Sequence, residues 1–276
     1  MSLKTYLDRR VGTKMEKDGV VSTFKGILES LGGIIETQKS GRERMALGKG
    51  GVLLVANHPA EIDVLVTLAS IEERRDWYIV INSMFVGKIE KLDKHFIPVY
   101  IDHNLDNNAF SLREQIFFLF HKKKRLSKEE SQERNRKSIQ RAAEMLDKGA
   151  LVIIYPGPNR VTGKWYKGVG HIMRQIRNKS KVSVVAAFIE GTSKWDYWRL
   201  IPGVSKLLPS FKVSFKLMGK INDIWEREVT LSTEKLENSY HNWSKGIARS
   251  KARVNSLPAF GMALVRSWVF WISSRL

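Results

Sequence analysis

Apolar and polar positions along the chain fall into two rhythms. Short apolar runs recur at Val52–Val55 (VLLV), Trp77–Ile81 (WYIVI), Phe96–Asp102 (FIPVYID), Ala150–Tyr155 (ALVIIY) and Val182–Glu190 (VSVVAAFIE). Such unalternating runs predict strands buried on both faces, as in a parallel sheet. Stretches of helical period stand between them. These are Ala60–Ser70 (AEIDVLVTLAS), Ser83–Leu92 (SMFVGKIEKL), residues 110–147 with Ser138–Leu146 (SIQRAAEML) as their clearest part, and His171 to about Arg177. Gly149 follows the third of these as a natural C′ residue. Strand and helix in alternation predict an α/β fold, a central and mostly parallel sheet flanked by helices. The run Phe211–Leu217 is different: Phe211, Val213, Phe215 and Leu217 alternate with Lys212, Ser214 and Lys216. That period of two predicts a half-exposed edge strand.

Helical appendages are expected at both ends, giving three parts: residues 1–45, an α/β domain over 46–230, and residues 231–276. Near the N-terminus, Val20, Val21, Phe24, Ile27, Leu28, Leu31 and Ile35 recur at three- and four-residue spacing. The stripe suits an amphipathic helix on lipid and equally one packed on the main domain. Lys39–Arg44 (KSGRER) reads as a polar linker. Thr233–Arg253 is helical and polar. Leu257–Ser274 is apolar nearly all round, carries Trp268 and Trp271 inside, and is flanked by Arg249, Lys251, Arg253 and Arg275. It reads as an interfacial membrane helix, with a core-packed helix as the alternative.

Composition sharpens the choice of partner. The 276 residues carry 47 Lys+Arg against 28 Asp+Glu, a formal charge of +19 at pH 7. Such an excess favours a partner of opposite sign: an anionic membrane surface, a phosphorylated substrate or nucleic acid. The aromatic run Ile116–Phe120 beside Lys122, Lys123, Lys124 and Arg125 suits anionic headgroups. No RNP, helix-turn-helix or finger signature accompanies it, so nucleic acid is not expected. With no cysteine, disulfides, thiolate zinc sites and a catalytic thiol are excluded. No stretch of signal-peptide character opens the chain, and no 20-residue stretch is free of charge, so a conventional spanning helix is not expected.

The chemistry concentrates at Gly51–Asp63 (GVLLVANHPAEID). His58 stands at the exit of the first strand, Pro59 suits a first helical turn, and Asp63 follows five residues later. On an ideal helix those two side chains would point about 140° apart. They meet only if His58 lies in the bent approach to the helix. A carboxylate on one imidazole nitrogen fixes the tautomer and stabilises the imidazolium, which makes the other nitrogen a general base. No Gly-x-Ser-x-Gly turn supplies a serine nucleophile. A base and its orienter without an enzyme nucleophile imply that the substrate brings the attacking hydroxyl.

Asn57-His58, four residues, then Asp63 resembles the NH-x4-D motif of the glycerolipid acyltransferases, which include lysophosphatidate and glycerol-3-phosphate acyltransferases. The resemblance continues in order from about Leu47 to Ser193. FIPVYID resembles the second motif, with His103 where the family carries an Arg expected to contact the acceptor's phosphate. Pro156-Gly157-Pro158-Asn159-Arg160 resembles the third motif, Phe-Pro-Glu-Gly-Thr-Arg. Pro156 and Arg160 match it, and Gly157 replaces the Glu. Turns of this kind offer backbone amides, and Arg160 offers a planar fork for phosphate. Soluble plastid glycerol-3-phosphate acyltransferases also lack that Glu and have a Glu where this chain has Glu61. The segment Lys164–His171 (KWYKGVGH) resembles the family's lysine and glycine stretch, with Lys167 beside the phosphate. The fourth motif, Val-Pro-Val, is matched loosely, with Ala186 at the Pro position.

The resemblance implies an α/β, glycerol-3-phosphate-acyltransferase-like fold. It implies transfer of a fatty acyl group from acyl-CoA or acyl-carrier protein to a glycerol phosphate precursor, foremost 1-acyl-glycerol-3-phosphate. His58 and Asp63 would be catalytic; Arg160, Lys167, His103, Glu61 and Gly157 would bind substrate. No cofactor or metal is expected beyond the acyl co-substrate. The expected location is the cytoplasmic face of a membrane, as a peripheral or monotopic protein. Glycerol 3-phosphate, a lyso-aminolipid or a glycolipid are alternative acceptors. A non-enzymatic basic membrane-binding protein on a decayed acyltransferase scaffold is the rival class, weakened by the intact Asn57-His58 and Asp63.

Overall fold

The computed structural model describes residues 11–254, apart from 61, 88–89, 101–125, 158–163, 201–204 and 206–207. Helices α1 (Thr13–Asp18) and α2 (Val20–Ser30) lead into β1 (Ile35–Gln38), α3 (Gly41–Gly48), β2 (Val52–Ala56) and α4 (Asp63–Leu68). Then come β3 (Trp77–Asn82), a 3₁₀ turn at Ser83–Phe85, α5 (Glu90–Asp93), β4 (Phe96–Val99) and α6 (Lys128–Asp147). β5 (Leu151–Ile154), α7 (Gly168–Gln175), β6 (Ser183–Glu190), a 3₁₀ helix at Lys194–Leu200 and β7 (Phe211–Lys220) follow. Helices α8 (Ile221–Ile224) and α9 (Val229–Val254) close the described chain. The fold divides into two compact units, Met1–Glu234 and Lys235–Leu276.

The described strands form one seven-stranded sheet in the order β1-β7-β6-β2-β5-β3-β4. β2, β3, β4, β5 and β6 run parallel, and β7 turns back antiparallel to β6. The fold is therefore α/β with a mostly parallel sheet, as expected. Parallel neighbours need crossovers, and these carry the helices. Strand parity sorts the core into two faces. Val52, Leu54, Ala56, Ile79, Leu151, Ile153, Val185 and Ala187 share a cluster with Val20, Phe24 and Leu28 of α2 and Val66 and Leu68 of α4. The residues between them, Leu53, Val55, Val152 and Val184, are equally buried. Burial on both faces is what an unbroken apolar run requires. Each fully buried Val or Leu contributes roughly 1.5–3 kcal/mol.

Four local readings change. First, residues 1–45 are not helical throughout: Ile35–Gln38 is a strand pairing parallel with β7, Ile35 opposite Phe211. The apolar face of α2 is buried in the core, so its stripe serves packing. Second, the stretch read as a linker holds helix α3. Ser40 and Glu43 form a capping box there, with Arg42 N–H donating to Ser40 Oγ and Ser40 N–H to Glu43 Oε2 at 2.8 Å. Third, β7 is not an edge strand, because β1 covers it; Lys212 leaves the sheet face to pair with Glu36 of β1 at 2.9 Å. The segment expected as a helix over Ser83–Leu92 is a 3₁₀ turn and the one-turn α5.

Two polar devices stiffen the sheet. Arg74, its side chain 4% exposed, donates to the carbonyls of Leu47, Gly50 and Gly149 and clamps Asp76 at 2.8 and 2.7 Å. It ties the amino-terminal ends of β2, β3 and β5 together. Gly149 takes φ +91° there, the left-handed cap expected of it after α6. His95 stacks on Trp77 with centroids 4.1 Å apart and an interplanar angle of 2°, and its Nδ1–H donates to the Trp77 carbonyl at 2.7 Å. Burial pulls its pKa below the ordinary histidine value.

Candidate active site

The parallel strands deliver their carboxyl ends to one edge of the sheet, where open α/β sheets bind ligands. β2 lies centrally there, between β6 and β5. Its last residue, Ala56, is opposite Ala187 of β6. Asn57 then locks the exit: its Nδ2–H donates to the Ile189 carbonyl at 2.8 Å, and Ile189 N–H returns to Asn57 Oδ1 at 2.7 Å. The side chain thus continues the β2–β6 ladder by one rung while the backbone bends away. Asn at this position is a positioning residue for the next one, His58.

The bend solves the angular problem posed by the five-residue spacing. The helix starts at Asp63, not Ala60, so His58 lies in the non-helical approach. Its Nδ1 lies 3.1 Å from Asp63 Oδ2. The same oxygen accepts Ala60 N–H at 2.6 Å. Asp63 is completely buried, while the His58 side chain keeps 22% of its surface. A carboxylate is acceptor-only, so Nδ1 carries the proton and Nε2 is left with the lone pair. The imidazole is therefore a base at Nε2 whose conjugate acid is stabilised by a buried carboxylate. Asp63 Oδ1 is also buried and has no hydrogen-bond partner among the described residues.

Behind this pair stands a residue the sequence reading did not single out. Val55 is opposite Ile154, which brings the next residue of β5, Tyr155, level with the end of β2. The Tyr155 ring lies against the His58 imidazole, centroids 4.8 Å apart and tilted by 31°. Its hydroxyl donates to Thr67 Oγ1 at 2.8 Å, and Thr67 donates to the Asp63 carbonyl at 2.8 Å. Burial first, with Asp63 nearby adding to it, pushes the phenol pKa far up, so the ring remains neutral. Tyr155 walls the imidazole on one side and anchors to the helix that carries its carboxylate. No local signal marks it, because its place beside His58 depends on β5 lying next to β2.

The phosphate-binding expectations divide. Arg160, His103 and Glu61 lie outside the described residues, as do residues 122–125 and 257–274. Gly157 is described, two residues beyond Tyr155; a Cβ there would meet the buried Trp165 ring at 3.5 Å, an ordinary contact. Tyr166 N–H bonds the Pro156 carbonyl at 2.8 Å, which pins the far side of this loop to the end of β5. Lys167 is exposed and precedes α7. Of the two glycines after it, Gly170 has a packing reason: a Cβ would meet the Val229 carbonyl at 2.6 Å. On the far strand, Asn135 of α6 brackets the exit of β4, accepting Tyr100 N–H at 2.7 Å and donating to its carbonyl at 2.8 Å. Among the described residues no helix is long and apolar enough to cross a membrane.

Comparison with known proteins bears on the same stretch. No curated protein matches the chain. Among solved structures it is similar to the crystal structure of the 1-acyl-sn-glycerophosphate (LPA) acyltransferase PlsC from Thermotoga maritima. The two are 14% identical, the match covers 89% of this chain and 81% of that one, and the TM-score is 0.44. The acyltransferase family model matches residues 35–194, from β1 into the helix after β6 and across Asn57, His58, Asp63 and Tyr155. With more than half of its length matched, the chain belongs to the acyltransferase family.

Proposed function

We propose that this acyltransferase moves a fatty acyl group from acyl-CoA or acyl-carrier protein to a hydroxyl of a glycerol phosphate lipid precursor, foremost 1-acyl-glycerol-3-phosphate. It would do so in phospholipid biosynthesis, at the cytoplasmic face of a membrane. The reading is carried by one observation: the His58 Nδ1 contact to buried Asp63, which leaves Nε2 basic. Among the described residues Asp63 is the only hydrogen-bond partner of His58, so the nucleophile falls to the substrate. The acceptor hydroxyl gives its proton to Nε2 as its oxygen attacks the thioester carbonyl. The C–O bond forms, the tetrahedral intermediate collapses, and the C–S bond breaks. The leaving thiolate takes the proton back from Nε2, which returns the imidazole to its starting state.

In this reading Arg160 grips the acceptor's phosphate through its guanidinium fork, with Lys167 and His103 adding charge and the amides around Gly157 adding donors. The net charge of +19 supports an anionic membrane as the surface on which acceptor is met. Glycerol 3-phosphate is the second acceptor, favoured by Glu61 and by the glycine at 157. The test offers a radiolabelled acyl donor with lysophosphatidate and glycerol 3-phosphate side by side. Lysophosphatidate should be acylated faster, His58→Ala should abolish transfer, and Arg160→Ala should raise the KM for acceptor more than that for donor. Wild-type turnover in His58→Ala overturns the mechanism. A rise confined to donor KM reassigns the loop, and preference for glycerol 3-phosphate reassigns the acceptor.

A further inference from the structure

Four aromatic side chains are exposed among the described residues: Phe85 (41%), Tyr166 (64%), Trp195 (44%) and Trp198 (46%). All four follow the carboxyl end of a parallel strand. Phe85 ends the 3₁₀ turn directly after β3. Tyr166 is pinned to the end of β5 through the Pro156 carbonyl. The two tryptophans belong to the 3₁₀ helix that follows β6. In the strand order β6-β2-β5-β3 they therefore span the edge on which His58 lies, a breadth of roughly 14 Å at about 4.8 Å per strand. The other exposed large hydrophobics, Ile34, Met45 and Leu231, are not aromatic and follow none of these strands.

The helix bearing the tryptophans is built inside out. Residues three apart eclipse on a 3₁₀ helix. Trp195 and Trp198 share one such row, and Asp196 and Arg199 share another. The charged row is the buried one. Arg199 Nε meets Asp196 Oδ1 at 2.8 Å with both side chains at most 5% exposed. The guanidinium also bonds the Pro209 carbonyl at 2.6 Å and sits 4.3 Å over the core ring of Phe211. Asp196 Oδ2 takes Ser193 N–H at 2.6 Å. Gly191, at φ +82°, allows the turn into this segment, where a Cβ would strike the Ser210 carbonyl. Burying an ion pair costs desolvation that its partners must offset. Here its geometric result is a fixed platform with two indoles turned outward.

We propose that this aromatic edge is a docking surface for an anionic lipid bilayer, and that Trp195 and Trp198 are its anchor. The inference rests on the proposed lipid acceptor, which is itself drawn from a bilayer. Three observations select a membrane over a protein partner. Indoles favour the bilayer interface, where the ring is buried and the N–H stays wet. The aromatics are spread over three strand ends, which suits a plane better than a compact patch. The chain's charge of +19, with Lys167 exposed beside Tyr166, complements anionic headgroups. Docked this way, the protein presents His58 to the surface from which an amphiphilic acceptor is taken.

The experiment compares full-length protein with Trp195→Ser/Trp198→Ser. Each is sedimented with vesicles of mixed phosphatidylcholine and phosphatidylglycerol in high salt, which screens the electrostatic component. Each is also assayed on a short-chain lysophosphatidate kept monomeric in solution. The double variant should bind vesicles at least about tenfold more weakly, yet turn over the monomeric acceptor as wild type does. As a second measurement, brominated phospholipid should quench wild-type tryptophan emission more than that of Trp195→Phe/Trp198→Phe, which keeps apolar contact. Equal vesicle binding by wild type and the serine variant overturns the inference and leaves membrane association standing. Loss of affinity for acyl-carrier protein instead of vesicles overturns it in favour of a protein partner. Failure of wild type to bind any vesicle overturns the membrane reading itself.

Discussion

Replacing Asp63 by Asn tests the site at the atom where the chemistry is organised. Asp63 Oδ2 holds both the His58 Nδ1–H and the Ala60 N–H, and Oδ1 is buried without a partner among the described residues. An asparagine has two ways to fit. With its carbonyl in the Oδ2 position both contacts survive, but the NH₂ is buried where no described residue accepts from it. That costs about 1–3 kcal/mol of stability. With the amide turned over, the NH₂ faces two donors, the Ala60 N–H is orphaned, and His58 must take the tautomer with its proton on Nε2. In both orientations the imidazolium loses its carboxylate. The expected loss in kcat is on the order of 10²–10⁴, or about 3–5 kcal/mol of barrier. The assay follows thiol release from an acyl thioester with a chromogenic reagent, varying donor and acceptor in turn, with thermal unfolding as the check on the fold. Neither KM should move much, because Asp63 touches no substrate. In a His58→Ala background the same substitution should have no further effect, since Asp63 acts only through the base. A kcat within about threefold of wild type, or equal losses with and without His58, would refute the assignment.

Tyr155 separates ring from hydroxyl. Tyr155→Phe removes the bond to Thr67 and should cost about 1 kcal/mol in urea denaturation with near-normal turnover. Tyr155→Leu leaves His58 without its wall and should lower kcat roughly tenfold at unchanged KM, rescued in the Phe variant. His95 gives the stability curve an acid slope. Its folded pKa lies below the ordinary histidine value because of burial, so as pH falls past that ordinary value the unfolded chain takes up a proton that the folded chain resists. Stability should therefore be level in this respect above about pH 7 and decline toward about pH 5, and His95→Gln should flatten part of that decline. His171, lowered by partial burial and then by Arg174 and Lys167, adds a slope of the same sign.

Much of this was legible in the residues. Runs such as VLLV and ALVIIY cannot be half-exposed, and they form the centre of the parallel sheet. The Asn57-His58 and Asp63 spacing identified the pair, and the helix start at Asp63 is the bend it demanded. What escaped was long-range. Alternation in β7 reports that one face is partly wet, and says nothing about whether a neighbour covers its edge. Four residues, IETQ, are too few to declare a strand; their pairing with β7 decides it. Tyr155 was invisible as a site residue for the same reason, since sheet order is not written in any one segment. The inverted 3₁₀ helix defeats hydropathy outright, because there the charges face in and the tryptophans out.

The pairing of β1 with β7 also fixes an order in time. Ile35–Gln38 leaves the ribosome before any other strand described, and β7, its only sheet partner among the described strands, is the last of them to be made. Gln38 and Ser214, joined by a side-chain hydrogen bond, are 176 residues apart. A nascent chain therefore carries its first strand unpaired through the synthesis of all five parallel ones. The outer strand must wait at the edge while the centre forms, and closing so long a loop is slow and entropically costly. A polypeptide released before residue 211 would hold the His58–Asp63 motif and the parallel centre, yet expose β6 as a bare, apolar margin open to aggregation. The synthesis of β7, and not the arrival of the catalytic residues, is the event that completes the described sheet.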